Sequence, residues 1–281
     1  MYSLTVENAR GEKLELTHNP AFVVVSHDGF DPPDSVVNVT ELAGMDGSTF
    51  NSAKLDNRQL TITLAINGPA EENRLTLYKY IRQKSPTKFY YKTESRDVYC
   101  TGYIQSVQVN FFDKKEIIQI SAICPNPYLI GAEENETAFS YVTPLFEFPF
   151  TIENPVPFSE LVNVTEQTIH NGGDLETGAI ITLLAIGVVE NPSITNADTG
   201  ETIAITADME DGDTITINTR RGEKGITLTS GGVTSNIIGY MSADSVLFQF
   251  PPGDTAVVLD ADTGASNIVV YVNLEEHYGG V

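Results

Sequence analysis

Short runs of alternating apolar and polar residues, separated by turns that contain glycine, recur along most of this chain. In residues 60–66 (LTITLAI) nearly every second side chain is large and apolar, as on a strand with one buried face. After residue 190 the same pattern returns in short segments separated by Asp-Gly, Thr-Gly and Pro-Gly turns, at 201–205, 214–218, 226–228, 246–250, 256–259 and 268–274. Many short strands at this spacing predict a β-sandwich or jelly roll for the second half of the chain.

One segment departs from this pattern, between Pro69 and Pro86. Acidic residues follow Pro69 and basic residues precede Pro86, which matches the charge preference of the two ends of a helix. Leu75 and Tyr78 recur at helical spacing between them. The sequence therefore predicts one amphipathic helix of three to four turns, over about 70–84.

Charge is distributed unevenly along the 281 residues, which carry a formal net charge of −22. Up to residue 131 there are 13 basic and 15 acidic residues, whereas the remainder has 3 basic and 23 acidic residues. A surface this acidic repels phosphate backbones, and the first part has no clustered basic patch, so nucleic-acid binding is not expected. The change in composition predicts an N-terminal domain at 1–131, a turn-rich linker at 132–147 and an acidic C-terminal β-sandwich at 148–281.

The two cysteines, Cys100 and Cys124, fall in strand-like stretches and are expected to be buried free thiols of a protein folded in a reducing cytosol. The N-terminus has neither the charged nor the apolar region of a secretory signal. No apolar run approaches the ~20 residues that span a bilayer, so membrane insertion is not expected.

Residue patterns that support catalysis or metal binding are missing from the sequence. His27 lies beside Asp28 and His170 lies near Asp174, but no G-x-S-x-G, H-E-x-x-H or C-x-x-C motif accompanies them. The segment 260–264 only begins like an EF-hand loop, and 210–213 (EDGD) is better explained as an Asp-Gly turn than as a calcium site. We therefore expect no catalytic residue, no metal site and no cofactor, and the protein is predicted not to be an enzyme.

An ordered series of fragments resembles the distal tail protein family of bacteriophages with long, non-contractile tails. The resembling fragments of the first part are Phe30-Asp31-Pro32-Pro33, 38–55 (NVTELAGMDGSTFNSAKL), Arg58-Gln59-Leu60, Glu72, Arg74, Leu77-Tyr78, Tyr99 to Tyr103 with Gly102, and 119–128 (QISAICPNPY). Those of the second part are Asn171-Gly172-Gly173-Asp174, Thr177-Gly178, Asn191-Pro192, Asn196 with Thr199-Gly200-Glu201, Asp211-Gly212-Asp213, Asn218-Thr219 with Gly222, Pro252-Gly253 and Tyr278-Gly279-Gly280-Val281. The resemblance covers nearly the whole chain.

This resemblance implies a split-barrel-like N-terminal domain and a galectin-like or jelly-roll β-sandwich behind it, in a mainly β protein. It further implies a structural hub of the tail tip or baseplate, located in the virion tail after assembly in the host bacterial cytoplasm. The implied partners are five further copies in a homohexameric ring, the tail tube protein, a tail fibre or tail-associated lysozyme, and a receptor-binding protein.

The segment 31–55 is too polar for a core and, at roughly 25 residues, long for an ordinary surface loop. Apolar residues punctuate it, and two interpretations follow: a loop folded on its own domain, or a belt that reaches across the ring to a neighbouring subunit. We favour the belt, with the candidate interface residues Val36, Val37, Val39, Leu42, Phe50 and Leu55.

Two other functions compete with the structural hub. A protein that recognises host cell-wall saccharide through its C-terminal sandwich would need an aromatic platform, yet the chain has no Trp, and Phe and Tyr of the second part cluster at 139–158. A cell-wall hydrolase would need a paired acid and base or a metal, and the sequence indicates neither.

Overall fold

The computed structural model describes residues 2–111, 115–133, 135–138, 140–144, 159–163 and 166–281. The chain divides into two compact units, the first made of residues 1–133 with 277–281 and the second of residues 134–276. The predicted domain start at residue 148 and the side chains of the aromatic run 139–158 lie outside the described residues. The predicted linker, 132–147, contains two short strands.

The first unit is a β-structure with one helix among its described residues. Its elements up to residue 133 are β1 (Ser3–Glu7), β2 (Lys13–Glu15), β3 (Phe22–Asp28), β4 (Ser35–Glu41), β5 (Ser48–Leu55), β6 (Arg58–Ile66), α1 (Ala70–Tyr78), β7 (Pro86–Lys92), β8 (Asp97–Asn110), β9 (Glu116–Cys124) and β10 (Leu129–Gly131). Its main sheet has the order β2-β1-β7-β8-β9-β6-β3, whereas β4 and β5, among the described strands, pair only with each other.

Alternation of side chains places the core of this unit on one face of the sheet. In β6, Leu60, Ile62 and Leu64 are buried, and their antiparallel partners on β9 are Ala122, Ile120 and Ile118. The strands β1, β7 and β8 add buried residues on the same principle. The period-two pattern read from the sequence is therefore the pattern that forms this core.

The sheet curls so that strands distant in its hydrogen-bonding order meet through side chains. Tyr91 on β7 lies with its hydroxyl 3.2 Å from His27 Nε2 on β3, and its ring stacks on Phe30 at 4.6 Å between centroids. In the sheet order, β8, β9 and β6 separate β7 from β3. This curvature is what a split barrel requires, because a flat sheet would hold these residues far apart.

The helix α1 is shorter than the predicted range 70–84. It begins where expected, after Pro69, but ends at Tyr78. Tyr80 N–H then bonds to the Leu77 carbonyl in a tighter turn, and Lys84 adopts a left-handed φ of 62° that an α-helix does not allow. Ile81 is also buried, so the helical spacing of apolar residues continues past the end of the helix. This explains why the sequence overestimates the length of α1.

The second unit consists of antiparallel sheets. Its strands are β11 (Asn135–Ala138), β12 (Ser140–Pro144), β13 (Ser159–Asn163), β14 (Glu166–Asn171), β15 (Ala179–Ala185), β16 (Val189–Asn196), β17 (Thr202–Ala204), β18 (Asp208–Met209), β19 (Thr214–Asn218), β20 (Gly225–Ser230), β21 (Val233–Asn236), β22 (Gly253–Thr263) and β23 (Ile268–Leu274). Single 3₁₀ turns occupy Ile238–Tyr240 and Ala265–Asn267.

Two of these sheets supply one shared hydrophobic core. The six-stranded sheet has the order β11-β23-β15-β19-β20-β21, and the five-stranded sheet has the order β14-β22-β16-β17 with β18 beside β16. Ile181 and Val270 from the first sheet join Ile194 and Leu259 from the second in a single buried cluster. The prediction of a mainly β chain with a sandwich-like second half is confirmed.

The chain then returns to the first unit in β24 (His277–Tyr278), which pairs with β10. The predicted C-terminal domain at 148–281 includes residues 277–281, but in the structure these residues group with the first unit. Nothing in the sequence pattern of 277–281 indicates this return.

Candidate assembly interface

The strands β4 and β5 form a hairpin that we call the arm, residues 35–55. Its register runs from Ser35 opposite Leu55 to Glu41 opposite Ser48, with an irregularity between Asn38 and Val39. The arm forms a two-stranded sheet of its own. A hairpin of this kind is at best marginally stable in water, so it needs a further surface to pack against.

Every residue of β4 and β5 is exposed in the isolated chain. The structure places all six predicted interface residues on the arm, and each is a large apolar side chain that its own unit leaves uncovered: Val36, Val37, Val39, Leu42, Phe50 and Leu55. Phe50 is 63% exposed, and Met45 in the connecting loop is 70% exposed. Exposed apolar residues this concentrated mark an interaction site on a soluble protein.

The root of the arm is held by a buried arginine. Arg58 is only 2% exposed and donates hydrogen bonds from its guanidinium to four backbone carbonyls: Gly29 (2.5 Å), Asp31 (2.7 Å), Pro127 (2.8 Å) and Gly279 (2.8 Å). Burial lowers the pKa of Arg58, and the nearby cysteines and Asp31 act in the opposite direction. The planar fork of arginine suits this task, because one side chain joins three separate segments of backbone.

The segment 279–281 packs against the chain just before the arm. Val281 N–H donates to the Phe30 carbonyl at 3.1 Å, and Arg96 donates to the Gly280 carbonyl. A side chain at Gly280 would approach Pro32 Cδ to 2.7 Å, so this contact requires glycine. Together with Arg58, these contacts anchor the backbone at 29–32, a few residues before the arm begins.

A second apolar surface lies at the end of the main sheet. β3 is the last strand in the sheet order, and Val23 and Val25 on it are both exposed. A groove of about 510 Å³ opens beside it, lined by Tyr2, Leu4, Thr17, Val24, Val25, Ser26, His27 and Tyr91. The outer edge of β3, which pairs with none of the described strands, lies beside this groove and is able to receive another chain.

The histidines singled out in the sequence have local partners. His27 contacts Tyr91, and His170 Nδ1 lies 2.6 Å from Asp254 Oδ1, so His170 pairs with Asp254 rather than with Asp174. Both members of the second pair are exposed. An exposed pair of this kind contributes little to stability.

The turn at 210–213 is held by its own atoms. Asp213 Oδ2 accepts a hydrogen bond from Glu210 N–H at 3.0 Å, and Gly212 adopts a φ of 87°. Within the described ranges no group of three or more His, Cys, Asp or Glu side chains is placed to hold a metal ion. In the same ranges no helix is both long and apolar enough to cross a membrane.

The two cysteines are buried and free, as predicted. Their mutual hydrogen bond and then burial raise the pKa of the Cys100 thiol. Because the thiolate is the reactive form, this environment makes Cys100 a poor nucleophile.

Two family models match separate parts of the chain. One, described as a phage tail protein RIFT-related domain, matches residues 9–119 in the first unit. The other, described as the C-terminal domain of a siphovirus-type tail component, matches residues 172–276 in the second unit. No curated protein sequence matches the chain.

Solved structures with similar folds cover the whole chain. The crystal structure of Dit from phage SPP1, titled a paradigm of the hub adsorption apparatus in phages that infect Gram-positive hosts, has a TM-score of 0.68 at 14% identity and covers 99% of both chains. A chain of the phage P2 baseplate in its activated conformation with Ca has a TM-score of 0.55 at 13% identity and covers 100% of both chains. At these identities the likeness establishes the fold.

Proposed function

Because the chain belongs to the siphovirus-type tail component family, the distal tail proteins of siphophages, we propose that it is a structural hub at the tip of a phage tail. In this proposal six copies form a closed ring that joins the tail tube to the tail-tip fibre or adhesin apparatus in the virion. The ring is assembled in the host cytoplasm. The protein acts by assembly and not by catalysis.

The arm is the observation that carries this proposal. It presents large apolar side chains on a hairpin whose strand residues are all exposed, while its root is held by Arg58 and by residues 279–281. A root held by hydrogen bonds favours a constant direction of the arm, and the exposed apolar side chains of the arm favour contact with another subunit. The arm therefore supports the belt interpretation of 31–55 over the self-folded loop.

A closed ring needs two different surfaces on each copy, since each subunit contacts one neighbour with the first surface and the other neighbour with the second. The arm supplies one surface, and the unpaired side of β3 with its adjoining groove is a candidate for the other. Covering Val25 and Phe50 at once would remove two exposed apolar sites from water.

Charge is compatible with this arrangement. Up to residue 131 the chain has nearly equal numbers of basic and acidic residues, so copies of the first unit approach one another without strong repulsion. The acidic second unit would repel its copies, and so favours a position away from the contacts between first units.

Light scattering at two salt concentrations tests the proposal. We expect a species of about 184 kDa, six times the chain mass of 30.6 kDa, and a larger assembled fraction at high salt because salt screens the repulsion between second units. Phe50→Asp on the arm and Val25→Lys on β3 should each give a folded 30.6 kDa monomer.

Leu75→Asp is the matched control, because Leu75 is similarly exposed but lies on α1, outside the arm and outside the lining of the β3 groove. This variant should assemble like the parent chain. A parent chain that stays monomeric with purified tail tubes present would contradict the ring. A glycan array would then test saccharide binding by the second unit.

A further inference from the structure

The outer strand of the six-stranded sheet has an unused hydrogen-bonding edge. β21 ends the sheet order and pairs with β20 through a two-residue turn at Gly231-Gly232, in which both residues have positive φ. Ser230 and Val233 flank this turn and form a hydrogen-bonded pair, as such hairpins require. Ile237 N–H donates a hydrogen bond to the Ile226 carbonyl, so the same alternation of hydrogen-bonded and non-hydrogen-bonded pairs continues to the end of the strand.

This alternation determines which backbone N–H and C=O groups of β21 point away from β20. Val233 and Ser235 direct their N–H and C=O groups toward β20, and the alternate residues Thr234 and Asn236 direct theirs away from the sheet. Across the described part of the second unit, no strand pairs with that outer side. The outer side of β21 therefore offers a short ladder of donors and acceptors to another extended chain.

The same region lacks the charges that normally protect a sheet edge. Residues 225–243 (GITLTSGGVTSNIIGYMSA) contain no Asp, Glu, Lys or Arg, although residues 134–276 contain 22 acidic and 3 basic residues. The edge strands β2, β11 and β14 each carry a charged residue, at Lys13, Glu136 and Glu166. Charged side chains on edges prevent unwanted pairing, so an edge without them is open to pairing.

Exposed apolar side chains accompany this edge. Val233 on β21 is 71% exposed, and Ile238 and Tyr240 in the 3₁₀ turn that follows are also exposed. A tyrosine of this kind offers a large apolar ring with a polar tip, which favours protein interfaces. The backbone ladder and these side chains together form what we call the β21 edge: residues 233–240.

We propose that the β21 edge binds an extended segment of a different protein by β-strand addition, and that this segment carries no net negative charge. The inference deepens the proposed function by giving the second unit a docking surface for another tail component. Backbone hydrogen bonds to Thr234 and Asn236 supply affinity, and contacts with Val233 and Tyr240 supply selectivity.

Charge decides between the possible occupants. A second copy of the second unit would bring two strongly acidic surfaces together, and like charges facing each other oppose association. The first unit of another copy is near neutral, but the proposed ring already engages its arm and its β3 groove. A neutral or basic segment from another protein meets attraction from the surrounding carboxylates instead.

Site-specific photo-crosslinking in phage-producing cells tests this proposal. A photoreactive phenylalanine analogue replaces Tyr240 in the full chain, and mass spectrometry maps the crosslinked peptide. We expect an extended neutral or basic segment of another protein. Thr234→Pro and Val233→Lys should each lower the crosslinking yield about tenfold, because one removes an outward N–H and the other places a charge on the edge.

Val188→Lys is the control for the added charge, because Val188 is also exposed in the second unit but lies outside 225–243. It should leave the yield unchanged. A crosslink only to copies of this chain would overturn the proposal, as would no crosslink, or equal yields from all variants. Incorporation of the chain into purified tails is scored separately, so failure of the hub function is distinguishable from failure of this edge.

Discussion

Single residues hold the backbone beside the arm, and Arg58 joins three segments there. Its four acceptors belong to the chain before the arm, to the segment after β9 and to the residues after β24. All four acceptors are backbone carbonyls, so the guanidinium acts here as a multiple hydrogen-bond donor. Lysine would supply a single point charge and could not reproduce this fork.

Arg58→Met should lower the free energy of unfolding by about 3 kcal/mol, because four carbonyls lose a charged donor while the side-chain volume is nearly kept. Urea unfolding followed by circular dichroism measures the change. Arg10→Met, at an exposed arginine, should change it by less than about 0.5 kcal/mol. Equal stabilities of the two variants would contradict the role given to Arg58.

Because of Tyr90, the free energy of unfolding of the first unit decreases as pH rises into the alkaline range. Burial and then the hydrogen bond that its hydroxyl donates to Glu7 Oε2, at 3.0 Å, raise the pKa of Tyr90 well above its ordinary value. The folded chain therefore keeps a neutral phenol where the unfolded chain ionises. The resulting stability is complete below about pH 10 and is lost as pH rises further.

Tyr90→Phe should make the decrease in unfolding free energy between about pH 9 and pH 11 shallower, because the phenol that titrates is removed. Urea midpoints across this range measure the slope. Tyr103→Phe, at an exposed tyrosine, is the control and should leave the slope unchanged. Identical slopes for Tyr90→Phe and the parent chain would show that Tyr90 does not contribute.

At the scale of elements, sequence patterns predict the strands that have one buried face, and they are less informative elsewhere. Alternation in 60–66 identified β6 correctly, because burial enforces it. The predicted strand at 246–250 is irregular, with one bridge between Phe250 and Thr177, although Phe248 and Phe250 are buried as the pattern indicates. Burial can thus be read from the sequence even where hydrogen bonding cannot.

The arm is an element whose strands the sequence pattern does not predict. Its six apolar residues are predicted from the mixed polar and apolar character of the segment, but its strands are not, since an element exposed on both faces has no alternation to read. In the sequence, Arg58 stands out only as part of the resembling fragment Arg58-Gln59-Leu60. Its burial depends on carbonyls up to 221 positions away in the sequence, and no local pattern encodes such contacts.

Removal of the arm should leave the first unit folded. Replacement of residues 36–54 by Gly-Gly keeps Asp34 and Asp56, whose backbone hydrogen bond of 2.9 Å closes the root. We expect a thermal midpoint within a few degrees of the parent, since the removed strands bury little, together with loss of the assembled species.

Leu60→Ala gives the comparison for this experiment, because Leu60 is buried in the core of the same unit. It should destabilise the chain by about 2–5 kcal/mol while retaining the arm. If deletion of the arm destabilised the unit as much as Leu60→Ala, the arm would be part of the fold and not an extension from it.

At the scale of the whole molecule, the two units differ in their balance of basic and acidic residues. The basic residues of the second unit bond within it: Arg220 pairs with Glu275 at 2.9 Å, Arg221 pairs with Glu176, and Lys224 Nζ donates to the Leu247 carbonyl. The remaining carboxylates leave this unit strongly negative. Such a charge keeps a protein soluble and discourages contact between like copies.

The return of the chain at β24 makes the second unit an insertion within the first. A ribosome must therefore synthesise all of the second unit before the residues that complete the first unit exist. Until Gly279 is translated, Arg58 lacks one of its carbonyls and the root of the arm lacks the segment that packs against it. A chain cut short anywhere in the second unit therefore lacks both the Gly279 carbonyl and the hydrogen bond from Val281 N–H to Phe30 beside the root of the arm.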